Sequence, residues 1–214
     1  MSSRITGPER SRSAGATISR HAVAASSASA SRRWRAPGPA IALAVVDLPR
    51  PTPRTNEVLI RVEAASVNPT DWKHRATGGF IGEPPFVLGW DLSGVVEEVG
   101  IGVARFSPGD EVFGMLSYPF GHGAHAEYVT APAAWFAPKP ASLDHVQAAA
   151  LPLTGLTALQ SLERAGVRSG QPVLIHGAAG GVGSFGVQLA VLRGARVVGT
   201  ASPANHEYLR SLGA

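Results

Sequence analysis

The sequence predicts an α/β plus β protein: a compact, barrel-like β unit, then the opening of a doubly wound parallel sheet. Three observations predict it. Residues 41–140 carry short runs of alternating apolar residues separated by Pro, Gly and Asp turn signals. From residue 142 the pattern changes to helix, strand, Gly-rich turn, helix, strand, helix, the alternation of a parallel sheet. The 214 residues are 44% hydrophobic and 16% charged, which suits a packed core rather than a disordered chain. No cysteine is present, which excludes disulfides, thiolate metal sites and a cysteine nucleophile. No apolar run reaches the length of a membrane span, so no membrane partner is expected.

Residues 1–40 stand apart. They are rich in Ser, Ala and Arg, with seven arginines against one acid, and no apolar period runs through them. The rest of the chain holds twelve basic and fourteen acidic side chains, so the basic character belongs to this tail. Such a composition buries too little apolar surface to offset its ordering entropy, and a disordered tail is expected. A misassigned start or frame in GC-rich DNA is the expected origin of this Arg-rich, acid-poor texture; the alternative is an organellar transit peptide, which it resembles. Only Trp34 interrupts it, so no specific nucleic-acid binding is expected.

Residues 41–48 are apolar and partly β-branched, ahead of prolines 49, 51 and 53. Val58, Ile60 and Val62 alternate as in a half-buried strand. Residues 94–100 and 111–114 read as further strands, joined by the turn Ser107-Pro108-Gly109-Asp110. Ser142 or Asp144 caps a short helix through Ala150, and Thr154 opens another that reaches Ala165. Residues 172–176 form a strand of buried type, residues 182–193 a helix, 196–200 a second strand and 205–212 a last helix.

The turn Gly177-Ala178-Ala179-Gly180-Gly181-Val182-Gly183 lies between a strand and a helix, the context in which a glycine string carries information. Glycines allow the sharp turn and leave no Cβ in the path of a pyrophosphate, and the helix N-terminus favours its charge. The end of the next strand distinguishes NAD from NADP. An NAD site places Asp or Glu there for the ribose hydroxyls; this chain has Thr200-Ala201-Ser202, with Glu207 inside the following helix. NADP(H) is the expected cofactor, with Ser202 donating to its 2′-phosphate.

Six motifs in order carry a family resemblance. They are Val67-Asn68-Pro69-Thr70-Asp71, Leu88-Gly89-Trp90-Asp91-Leu92-Ser93-Gly94, Pro108-Gly109-Asp110-Glu111-Val112, Ala126-Glu127-Tyr128-Val129, the stretch 151–158 and the glycine turn. Residues 41–214 resemble a zinc-independent medium-chain dehydrogenase/reductase of the quinone-oxidoreductase branch. The resemblance implies a tail over 1–40, a GroES-like catalytic domain over 41–141 and, over 142–214, the N-terminal part of a Rossmann NADP-binding domain. That domain is expected to be incomplete, with two strands of six, and the family's opening strand is not legible before Ile41.

Zinc-dependent relatives would place Cys at Asn68 and His at Trp90, and neither an amide nor an indole is a zinc ligand. His122 and His125 read as polar loop histidines, and no metal is expected. The resemblance implies hydride delivery from NADPH to a quinone or a conjugated enone or enal. It places Asn68 and Thr154 beside the nicotinamide, with Asp71 organising the same pocket. No tyrosine stands one or two residues beyond Asp71, where some enoyl reductases carry their acid, and the three tyrosines are expected away from the site. The alternative function is a non-catalytic remnant that binds nucleotide weakly or pairs with a partner subunit. A homodimer of the full-length parent and a cytoplasmic location, or an organellar one if the tail is a transit peptide, complete the expectations.

Overall fold

The computed structural model describes residues 18–25, 42–77, 86–118 and 123–214. Strand β1 (Ile18–Ala25) runs antiparallel along β2 (Ala42–Pro49), with Ile18 opposite Pro49 and Ala25 opposite Ala42. The short β4 (Phe86–Val87) pairs on the other side of β1. No regular structure is expected of residues 1–40, and β1 departs from that expectation. Its run of alanines with single Ser, Arg and His residues has weak strand propensity, and the full-length partner β2 supplies what local preference lacks. The remainder of the tail lies outside the described residues.

The main sheet is antiparallel, five-stranded, in the order β7–β3–β5–β6–β8. Its members are β3 (Glu57–Ala65), β5 (Asp91–Val99), β6 (Glu111–Met115), β7 (Tyr128–Pro132) and β8 (Phe136–Pro138). Val58, Ile60, Leu92, Val96, Val112 and Phe136 meet in its core, each almost inaccessible to solvent. Burying each contributes roughly 1.5–3 kcal/mol. Leu59 is also buried, because α2 (His145–Ala149) covers β3 and β5 on the opposite face. The simple alternation expected for this strand therefore fails at Leu59. Asp144, rather than Ser142, caps α2: its carboxylate accepts from the Gln147 N–H at 2.7 Å, while the Gln147 amide oxygen accepts from the Asp144 N–H at 3.1 Å.

Besides β1, the strands β4, β7 and β8 and one helix are elements that the sequence pattern does not single out. Helix α1 (Pro69–Thr77) begins where Asn68-Pro69 resembles a turn. Pro69 suits a first helical position, but the helix has little apolar periodicity to reveal it.

Helix α3 (Pro152–Arg164) packs against α4 (Gly181–Leu192). Strands β9 (Pro172–Ile175) and β10 (Arg196–Gly199) pair in parallel, Ile175 opposite Gly199. Ala178, Val187, Ala190, Val197 and Leu209 form this half's core, closed by α5 (His206–Ser211). The fold is thus α/β plus β. Strand β9 is not the buried strand expected: Leu174 is 57% exposed, as is Val198 at 61% on β10. Among the described residues each pairs only with the other.

Candidate functional site

The site begins at the loop before α1. Asp71 is buried, and its carboxylate accepts from the Asn68 N–H at 2.7 Å and the Gly89 N–H at 3.1 Å. Both bonds fix backbone, so Asp71 shapes the loop and does not line the cleft. Gly89 has φ +97°, and a Cβ there would meet the His125 main-chain nitrogen at 2.6 Å. Glycine is therefore required at this crossing. The His125 ring donates from Nε2 to the Ser66 carbonyl at 3.0 Å.

Asp91 opens β5 and is fully buried. Its Oδ2 accepts from Ser66 Oγ and from Asn68 Nδ2, each at 2.8 Å, and its Oδ1 accepts from the Leu153 N–H at 3.1 Å. Asn68 Nδ2 also donates to Ser66 Oγ at 3.2 Å. Burial raises the Asp91 carboxyl above the usual carboxylate range, opposed by the three hydrogen bonds and reinforced by the nearby Asp71 charge. The Leu153 bond matters for architecture, because Leu153 lies in the first turn of α3 and the helix has no side-chain cap of its own. Asp91 stands in for that cap from another sheet. Thr154, expected to open α3, lies within its first turn and donates its hydroxyl to the Ala150 carbonyl at 3.1 Å.

Between the two halves lies a cavity of about 1060 Å³. Asn68, Thr154, Gly181 and Val182 all line it, so four of the residues expected at the site meet in one place. Its walls are mostly apolar and aromatic, with Phe113, Leu116, Trp135, Phe136 and Leu156 among them, and Thr70, Ser117, Thr157 and Gln160 add polar groups. Tyr118 also lines it, which corrects the expectation that every tyrosine lies elsewhere. Its ring packs 4.9 Å from that of the fully buried Trp90. Sequence distance from Asn68 concealed this tyrosine.

The glycine turn closes one end. Gly177 has φ +63°, and its N–H donates to Thr200 Oγ1 at 3.2 Å, while the Ala178 N–H donates to the Thr200 carbonyl at 3.0 Å. Gly180 caps α4 without any side-chain hydrogen bond, so the first N–H groups of the helix remain available. A Cβ on Gly183 would lie 2.7 Å from Ala178 Cα, so the helix approaches the turn too closely for any side chain there. A Cβ on Gly181 would stand 3.3 Å from Thr154 Cγ2, placing the starts of α3 and α4 side by side. Ala179 and Gly180 lie within the turn, and Ser202 follows β10, accepting from Asn205 Nδ2 at 3.0 Å. Glycine-lined main chain with uncapped donors fits the diphosphate of a dinucleotide.

The GroES-like domain of alcohol dehydrogenases matches residues 54–141. A chloroplast envelope quinone oxidoreductase homolog of Arabidopsis thaliana is 41% identical over 179 residues, 78% of this chain and 53% of its own. A 2-methylene-furan-3-one reductase of Solanum lycopersicum is 42% identical over 174 residues, covering 77% of this chain and 45% of that one. The quinone oxidoreductase structure from Coxiella burnetii superposes with a TM-score of 0.81 at 40% identity, covering 92% of this chain and 61% of that one.

The chain belongs to the medium-chain dehydrogenase/reductase family. It spans about half the length of these curated relatives.

Among the described residues no group of three or more His, Asp or Glu side chains could hold a metal ion. His122 lies outside the described residues. His176 meets Thr200 Oγ1 at 3.2 Å through Nδ1, a contact within the turn. Asp91 and Tyr118 are the site residues missing from the sequence-based expectation, and for Asp91 a carboxylate inside the apolar run 88–96 is the available signal.

Proposed function

We propose that this chain is the cofactor-binding and substrate-facing part of an NADPH-dependent reductase acting on quinones or conjugated enones and enals without zinc. One observation carries the reading. The uncapped, glycine-lined start of α4 opens onto the same apolar cavity as Asn68 and Thr154. Within the turn 177–183, the uncapped N–H groups of Gly181, Val182 and Gly183 would hold the diphosphate while Gly177, Ala178 and Gly180 shape the turn, and Ser202 would hold the 2′-phosphate, with no carboxylate at the end of β10 to repel it. When bound, the reduced nicotinamide supplies a hydride to an electron-poor position of the substrate. The chain's own residues orient and exclude water: Phe113, Trp135 and Phe136 give a flat conjugated substrate apolar walls, and Thr154 and Val182 line the side nearest the turn. Tyr118 and solvent are the proton sources that this cleft offers. Asn68 and Trp90, where a zinc enzyme of the family would carry ligands, support metal-free chemistry.

The names of several relatives place those proteins in chloroplasts and mitochondria. Together with the arginine-rich residues 1–40, they favour an organellar location over a cytoplasmic one. The test is NADPH oxidation followed at 340 nm with 9,10-phenanthrenequinone, with and without a chelator. Turnover that survives chelation supports the reading. Turnover restored only by added zinc contradicts it.

A further inference from the structure

The buried carboxylate of Asp91 does more than join two halves of the fold. A carboxylate that already accepts from Ser66 Oγ and the Leu153 N–H offers only acceptor atoms, so the Asn68 atom facing it at 2.8 Å is the amide nitrogen. The second amide hydrogen goes to Ser66 Oγ at 3.2 Å. Both donors of Asn68 are therefore engaged by protein. Its Oδ1 has no donor among the described residues, and Asn68 lines the cavity. An amide held this way can accept a hydrogen bond from a ligand but cannot donate one.

We propose that Asp91 is a positioning residue. It holds the Asn68 amide with its oxygen toward the cleft, so that Asn68 recognises a hydroxyl or N–H donor on the bound ligand and not a carbonyl oxygen. The assignment rests on the reading that this cavity is the ligand cleft. Through the Leu153 N–H the same carboxylate anchors the first turn of α3, and with it Thr154, so one buried group sets two walls of the cleft. A substrate carbonyl must accordingly be polarised by a group other than Asn68, and a hydroxyl formed on reduction is the better partner for it. In Asp91→Asn an amide faces an amide. The stable arrangement turns Asn68 round, so that its oxygen accepts from the new Nδ2 and its N–H2 group enters the cleft.

Two readouts on the full chain test this, and neither needs the cofactor. In the nitrogen–proton spectrum, the Asn68 side-chain amide protons of the wild type are expected to exchange with solvent roughly tenfold or more slowly than an exposed amide. Exchange at the rate of an exposed amide overturns the proposal, even if Asp91→Asn does not fold. The second readout is binding of 1-naphthol, a hydroxyl donor, against 1-tetralone, an acceptor of similar size. The naphthol-to-tetralone affinity ratio is expected to fall about tenfold in Asp91→Asn relative to wild type. An unchanged ratio in a variant with a cooperative melt overturns the proposal. Failure to bind NADPH alongside a protected Asn68 amide would count against the proposed function and leave this assignment standing.

Discussion

Gly183→Ala isolates the contact between α4 and the nucleotide turn. The added methyl would lie 2.7 Å from Ala178 Cα and 2.9 Å from its carbonyl carbon, main-chain atoms of a buried residue that cannot swing aside. The helix start must then move away from the turn. Overpacking of this kind costs about 1–3 kcal/mol, and the displaced N–H groups should weaken NADPH binding about ten- to a hundredfold. Gly155→Ala is the matched control. It lies inside α3 with nothing within 4 Å of the new methyl, and it should stabilise the chain by about 0.5–1 kcal/mol by helix propensity alone. Urea unfolding gives both stability changes, and quenching of intrinsic fluorescence by NADPH gives both affinities. If Gly183→Ala matched wild type in both measurements, the steric argument would be wrong.

Four further outcomes are expected. Asp144→Ala removes the capping box of α2 and should cost about 1 kcal/mol in urea unfolding. The Glu111 carboxyl is held below its usual range by the hydrogen bond and charge of Lys139, with a contribution from His145. Glu111 therefore adds stability above its unfolded value, lost as pH falls through the lowered one. The difference between wild type and Glu111→Gln should then be present at neutral pH and vanish in acid, as read from melts between pH 3 and 7. Ser202→Glu should weaken NADPH more than NADH, shifting the affinity ratio by about tenfold or more through repulsion of the 2′-phosphate; an unchanged ratio would remove Ser202 from the site. Tyr118→Phe should slow enone reduction by about a hundredfold if its hydroxyl is the general acid, with a smaller effect on quinones, whose reduced oxygens take protons from water.

The two-part architecture was legible because turn residues and glycine punctuate it, as at Ser107–Asp110 and 177–183. Where packing partners lie far apart in sequence, it was not. β1 pairs along its whole length with β2, and its alanine-rich residues carry no local sign of that pairing. α1 hid behind Asn68-Pro69, because a helix short of apolar residues leaves little periodicity. In the site, Asn68, Thr154, Gly181 and Val182 were assembled by motif, and the structure lines one cavity with all four. Asp71 proved to hold backbone, a role no residue type reveals alone. Asp91 shows in the sequence only as a carboxylate in an apolar run, and its role and that of Tyr118 emerge when β5, α3 and the loop after β6 are brought together.

On the proposed function, the turn at 177–183 and the adjoining cleft take a phosphorylated nicotinamide dinucleotide. Titrating the full chain with NADPH and, separately, NADH while following energy transfer from tryptophan to the reduced nicotinamide tests it most directly. Binding is expected to saturate, with NADPH at least about tenfold tighter than NADH, and to weaken in Gly183→Ala. Equal or tighter binding of NADH, or no saturation by either dinucleotide in a chain that melts cooperatively, would contradict it.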